Sequence, residues 1–188
     1  MATKALADPI KAQDVLAKLS GSFPMDEAVV EGNSFASVSH FGTSAWTVTG
    51  KVLAKTREGT DAAYFLKIAY GEHGGVMLKG EFESAKIIYG LMPGLIPQPF
   101  GYGRYKTSNP VAYFYLSEFI DMDITPAPDP VEFTTQLAAL HKRSGSPNGR
   151  FGFHVVTCDG KMPHTVDWQD SWATFLGRLL QGVCKLDN

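Results

Sequence analysis

The stretch Ala62-Ala63-Tyr64-Phe65-Leu66-Lys67-Ile68-Ala69 decides the fold that we expect for this chain. Its aromatic, branched and small apolar residues predict a β-strand. Side chains alternate across a strand, so Tyr64, Leu66 and Ile68 share one face, while Lys67 lies on the opposite, otherwise apolar face. Burying a single cation there is unfavourable without a partner. The pattern therefore directs attention to acidic residues near Lys67.

A helix predicted from about Val76 to Leu91 follows this strand and supplies two candidate partners, Glu81 and Glu83. Its apolar residues recur at helical spacing: Leu78, Phe82, Ala85 and Tyr89. A strand lysine with a glutamate in the next helix is typical of the pair that holds nucleotide phosphates in kinase-like folds. Spacing alone does not identify the partner, and on spacing alone a solvent-exposed Lys67 is the simpler interpretation.

Further strands are predicted on both sides of the lysine strand. They lie near Ala45–Ala54, Phe100–Tyr105 and Val111–Ile120, and a polar turn at residues 57–60 precedes the lysine strand. A weakly amphipathic helix is predicted earlier, within Ile10–Leu19. The first two thirds of the chain are therefore expected to be rich in strands.

The segment Asp121–Pro130 interrupts this pattern with three prolines, which do not fit the interior of a sheet. Asp129 followed by Pro130 is typical of a helix start, and this helix is predicted to end near Ser144. A last helix is predicted over about Asp170–Leu186. Strands followed by helices predict an α+β fold with two layers or lobes.

Composition excludes several classes of function. Seventeen basic and nineteen acidic residues give a net charge of −2, and no cluster of Lys and Arg indicates a nucleic-acid partner. Cys158 and Cys184 stand far apart without the pattern of a metal site, as expected of a reduced, cytoplasmic protein. Residues 1–10 contain no signal-peptide pattern, and no run is long enough for a membrane helix.

Two short segments have simple structural interpretations. Gly42, Thr43 and Ser44 precede the predicted hairpin, where small residues let backbone N–H groups approach a phosphate. With a single glycine, however, an ordinary turn is the simpler interpretation. His141-Lys142-Arg143 lacks the aspartate of a kinase catalytic loop and falls on a helix, so His141 is expected to be a packing residue.

Two motifs resemble the fructosamine (ketosamine) kinase family. The first is Gly80-Glu81-Phe82-Glu83-Ser84, and the second is Phe151-Gly152-Phe153-His154 followed by Trp168-Gln169-Asp170-Ser171-Trp172. The resemblance extends from about Ser34 to Leu186, and the linker is most similar to that of fungal members. It implies a protein-kinase-like fold, with a β-rich N-terminal lobe at residues 1–120, a linker at 121–130 and the start of a helical C-terminal lobe at 131–188.

The resemblance also implies a function. Members use ATP and Mg²⁺ to phosphorylate the sugar 3-hydroxyl of ketosamines on protein lysines, which repairs glycated proteins. By resemblance, Lys67 is the phosphate-binding lysine and Glu81 is its partner. Three residues match the hinge that binds adenine, namely Glu118, Phe119 and Ile120, and three take the place of the phosphate loop, namely Gly42, Thr43 and Ser44.

The chain departs from the family where the catalytic loop would be expected. It contains no H-G-D-L-x-x-G-N motif, so we expect no catalytic residue and no metal ligand in it, and we interpret it as a truncated member. The apolar stripe of the last helix would then be uncovered, which favours self-association. Two alternatives remain open: a non-catalytic fragment that binds nucleotide or a partner, and a small-molecule kinase of the aminoglycoside or choline type.

Overall fold

A five-stranded antiparallel sheet forms the centre of the computed structural model, which describes residues 14–18, 33–106, 108–123 and 125–186. The strands in chain order are β1 Ser34–His40, β2 Val48–Lys55, β3 Asp61–Tyr70, β4 Pro99–Arg104 and β5 Ala112–Glu118. In space the order is β1-β2-β3-β5-β4, so β3 lies in the middle of the sheet. Lys67 is therefore carried by a strand that is paired on both sides.

Both faces of β3 are covered, each by a different set of side chains. On one face Tyr64, Leu66 and Ile68 are at most 5% exposed and pack with Leu16 from the helical residues 14–18. On the other face lies a 21-residue helix, α1 Gly71–Leu91, which contacts β3, β4 and β5. The alternation predicted from the sequence is thus confirmed, and Lys67 lies on the face that α1 covers.

The C-terminal part contains two helices joined by a long, largely irregular segment. It contains α2 Pro130–Arg143, a two-stranded hairpin of β6 Cys158–Asp159 and β7 Met162–Pro163, and α3 Trp172–Leu186. The predicted start of α2 is confirmed, because the Glu132 backbone N–H donates to the Asp129 carboxylate over 2.8 Å. The α+β arrangement predicted from the order of elements is confirmed.

The structure differs from the sequence predictions at several points. Helix α1 begins five residues early, because β3 runs directly into it through Gly71, whose φ of +75° suits glycine. Strand β1 and the β6–β7 hairpin were not predicted. His141 is exposed, so its expected packing role is wrong. Of the helix predicted within Ile10–Leu19, residues 14–18 are helical and the others lie outside the described residues.

No helix among the described residues has the length and apolar character needed to cross a bilayer.

Candidate functional site

A cavity of about 400 Å³ opens between the sheet, α1 and the segment that follows β5. Most of its lining is apolar, including Phe65, Ala85, Ile88, Ile96, Pro97 and Tyr115. The polar side chains on its wall include Lys67, Glu81 and Glu118. A largely apolar cavity with a few polar groups is the usual form of a small-molecule site.

Lys67 and Glu81 meet at this cavity. The Lys67 Nζ donates to Glu81 Oε1 over 2.6 Å, and the two side chains are 29% and 36% exposed. An ammonium has three N–H donors, and the bond to Glu81 uses one of them. The pair therefore holds the amine in a fixed place and leaves it able to bind an anion from the cavity side.

Glu83, the alternative partner left open by the sequence, faces elsewhere. Its carboxylate accepts from Lys86 at 3.2 Å and lies 3.5 Å from His154 Nε2. Partial burial raises the pKa of Glu83, but the hydrogen bonds and charges of Lys86 and His154 outweigh this effect and lower it overall. The structure thus assigns Glu81, and not Glu83, to Lys67.

The segment predicted to be the hinge forms another wall of the cavity. Glu118, Phe119 and Ile120 all line it. The segment is held at Glu118, whose N–H donates to the Gln98 carbonyl over 2.8 Å and whose carboxylate accepts from the Gln98 N–H at 3.1 Å. Within the described residues, the backbone N–H and C=O groups of Phe119 and Ile120 form no hydrogen bond with another backbone group. Their N–H and C=O groups are suited to bind a ligand with a polar edge.

An aromatic residue that the sequence analysis did not select closes one side of the cavity. Phe41, which directly follows β1, packs edge-to-face on Phe119 at 4.9 Å and on Phe65 at 6.4 Å between ring centroids. The Lys51 amine lies 4.0 Å from the centre of the Phe119 ring. The sequence signal was an aromatic residue directly before Gly42, where the segment considered as a phosphate loop begins.

The residues predicted for the phosphate loop do not line the cavity themselves. Gly42 has a φ of +74°, which turns the chain after Phe41. The Ser44 hydroxyl accepts from the Thr47 N–H at 3.2 Å and from the Thr47 hydroxyl at 2.8 Å, while Thr43 is exposed. In this structure these residues shape a turn next to the cavity.

Tyr115 lies on β5 directly beside Lys67 in the strand register. Burial, and then the charge of Glu81, raise the pKa of its phenol to about 12. The side chain is therefore neutral near pH 7, and it contributes an apolar ring to the cavity wall.

No group of three or more His, Cys, Asp or Glu side chains that could hold a metal ion occurs in the described ranges. This part of the chain therefore does not assign a place to Mg²⁺.

Comparison with known proteins identifies similar sequences and similar folds. The model of the fructosamine kinase family matches residues 40–180. A crystal structure described as "Putative fructosamine-3-kinase" from Haemophilus somnus 129PT superposes with a TM-score of 0.60 at 20% identity, covering 94% of this chain and 54% of that one. Another crystal structure of the same description, from Thermobifida fusca YX-ER1, superposes with a TM-score of 0.58 at 18% identity, covering 89% of this chain and 51% of that one. The chain thus spans about half the length of these two structures, whose likeness establishes the kinase-like fold.

Proposed function

We propose that the cavity of this chain, which belongs to the fructosamine kinase family, binds ATP and forms the nucleotide site of a kinase. The observation that carries this proposal is the 2.6 Å contact between Lys67 and Glu81 on the cavity wall. A glutamate that fixes a cavity-facing lysine is the arrangement that phosphoryl-transfer enzymes use to hold phosphates. Membership of the family supports a kinase activity in general, and we assign the ATP site of this activity to the cavity.

The phosphates and the adenine of ATP would each meet suitable groups on the cavity wall. The phosphates would meet the Lys67 amine, because a charge-assisted hydrogen bond is stronger than a neutral one. The adenine would lie against the apolar wall and bind the backbone of Phe119 and Ile120, next to Glu118. Gly42, Thr43 and Ser44 would shape the loop near the phosphates. A divalent metal is expected from the family, and the described residues provide no cluster for it.

The proposed substrate is the sugar of a ketosamine on a protein lysine, phosphorylated at its 3-hydroxyl. This step repairs glycated proteins because the phosphorylated sugar then leaves the amine. The division into two lobes stays a prediction, with a first lobe at residues 1–120, a linker at 121–130 and a second lobe at 131–188. A cytoplasmic location also stays a prediction. Self-association through α3 also stays a prediction; Trp172 and Leu180 on this helix are 54% and 56% exposed.

Substitution of Lys67 tests the proposal most directly. We expect the wild-type chain to bind ATP with Mg²⁺ in isothermal titration calorimetry. Lys67→Ala should weaken binding by roughly tenfold to a hundredfold, because it removes a charge-assisted hydrogen bond to phosphate. Glu81→Gln should weaken it less, because the amine keeps its charge but loses its fixed place.

Lys55→Ala is the matched control. Lys55 is also a strand lysine with a carboxylate partner, Asp61 at 2.5 Å, but the pair is largely exposed and does not line the cavity. Its removal should leave ATP affinity unchanged. Absence of ATP binding by the wild-type chain, or equal effects of both lysine substitutions, would contradict the proposal.

A second assay separates transfer from binding. Phosphate transfer to a fructosyl-lysine peptide, measured with the same chain, would support a complete enzyme. Binding of ATP without transfer would favour the non-catalytic alternative that the missing H-G-D-L-x-x-G-N motif raises.

A further inference from the structure

The segment of residues 154–163, which we call the brace, contacts both α1, which carries Glu81, and the loop between β1 and β2. It contains the β6–β7 hairpin and comes from the C-terminal part of the chain. At one end it lies against α1, and at its tip it lies against the loop between β1 and β2. Neither contact enters the proposed nucleotide site directly.

The contact with α1 is made by backbone. A Cβ built on Gly80 would lie 2.5 Å from the Val156 carbonyl oxygen and 3.0 Å from the Thr157 Cα. Real Cβ atoms do not approach so closely, so this packing requires glycine. Gly80 directly precedes Glu81, the partner of Lys67. The brace therefore limits the movement of α1 at the turn that carries the carboxylate.

The contact with the loop is made at the hairpin turn. Gly160 has a φ of +54°, and a Cβ there would lie 2.6 Å from the indole ring of Trp46. The Lys161 amine lies 5.7 Å from the centre of the same ring. Trp46 belongs to the loop between β1 and β2, and this loop begins with the cavity residue Phe41, so the brace also supports this loop.

A third contact supports the same face of α1. His154 Nε2 lies 3.5 Å from Glu83 Oε2, one helix turn from the close approach at Gly80. This pair is partly exposed and adds little by itself. Together with the close approach at Gly80, it joins the brace to the helix at two points.

We propose that the brace positions the phosphate end of the cavity, with Gly80 and Gly160 as positioning residues. This inference rests on the proposed function, because it assigns a task to Lys67 and Glu81. Backbone packed against backbone has little freedom to adjust, so α1 can move only if the brace moves with it. The C-terminal part of the chain thus sets the geometry of a site whose residues lie in the N-terminal part.

Gly80→Ala tests the inference, with Gly90→Ala as its matched control. Both glycines lie in α1, where alanine is the better helix former. A Cβ on Gly90 would meet no atom within 4 Å. Calorimetry with ATP and with adenosine should show that Gly80→Ala weakens ATP binding by roughly tenfold. Adenosine lacks phosphates, so its affinity should not change, whereas general loosening of the fold would weaken both ligands.

Trp46→Ala tests the tip of the brace by a substitution that the fold should tolerate, since Trp46 is 40% exposed. We expect the same selective loss of ATP affinity, and no loss in the control Trp172→Ala on α3. If the thermal melt shows that Gly80→Ala does not fold, the comparison of Trp46→Ala with Trp172→Ala tests the inference by itself.

Three results would overturn the inference. The first is unchanged ATP affinity in the folded Gly80 and Trp46 variants. The second is equal weakening of ATP and adenosine. The third is absence of ATP binding by the wild-type chain, which would overturn the proposed function as well. The first two leave the proposed function intact, so the two failures are distinguishable.

Discussion

Helices α1 and α2 are held in place by different means. α1 buries five residues against the sheet and the brace, namely Gly74, Gly75, Leu78, Gly80 and Ala85, and its start has no side-chain cap. α2 buries none of its residues, and its start is fixed by the Asp129 cap and by Pro130 in the first turn. Packing therefore determines the position of α1, whereas local chemistry determines the start of α2.

This difference explains why the helix that carries Glu81 can serve a binding site. A carboxylate must be held to within a fraction of an ångström to orient a lysine, and dense packing provides such precision. Three of the five buried residues of α1 are glycines, which let the helix approach its neighbours closely. The difference between the helices can be tested by substitutions that remove packing from one and capping from the other.

The largest effect is expected from Leu78→Ala in α1. Leu78 is completely buried between the helix and the sheet. Removal of such a side chain should lower the free energy of unfolding by about 2–5 kcal/mol, because it leaves a cavity. Urea denaturation followed by circular dichroism measures this loss. Leu137→Ala in α2, where the side chain is 38% exposed, is the control and should change little. Equal losses at both positions would show that α2 is packed as tightly as α1.

High pH should weaken the packing under α1. Burial, and then the charge of Glu81, raise the pKa of Tyr115 from 10.0 to about 12. Between these values the unfolded chain releases the phenol proton while the folded chain keeps it, so the free energy of unfolding falls as pH rises. Below pH 10 this contribution is fully present.

Urea denaturation between pH 8 and pH 12 measures the effect of Tyr115. Tyr115→Phe should show a shallower decline over the alkaline range than the wild type. A Tyr115→Phe profile parallel to the wild type would argue against this account.

Sequence reasoning was most successful where a single pattern determined the structure. The alternation of side chains in β3 predicted which face of the sheet carries Lys67, and the Asp129–Pro130 pair predicted where α2 begins. The choice of Glu81 over Glu83 did not follow from spacing, because it depends on how α1 lies against the sheet. It followed in advance only from the resemblance to a family.

Other elements left no pattern that could be detected. β1 is an edge strand with mostly exposed or half-buried residues, so its sequence lacks a strong apolar signal. The β6 and β7 strands have two residues each, too few for any period to appear. The side of the cavity that Phe41 closes depends on its contact with Phe119. These residues are far apart in sequence, and only the folded sheet brings them together.

The smallest effect is expected from Asp129→Ala at the start of α2. The Asp129 carboxylate accepts from the Glu132 N–H over 2.8 Å, and loss of such a cap lowers the free energy of unfolding by about 1 kcal/mol. Asp129→Ser keeps a hydroxyl acceptor and should restore most of the loss. If α2 were held by packing as α1 is, the cap would matter less and both variants would resemble the wild type. A loss in Asp129→Ala that Asp129→Ser repairs would instead show that a local hydrogen bond fixes this helix, while tertiary contacts fix the one that carries Glu81.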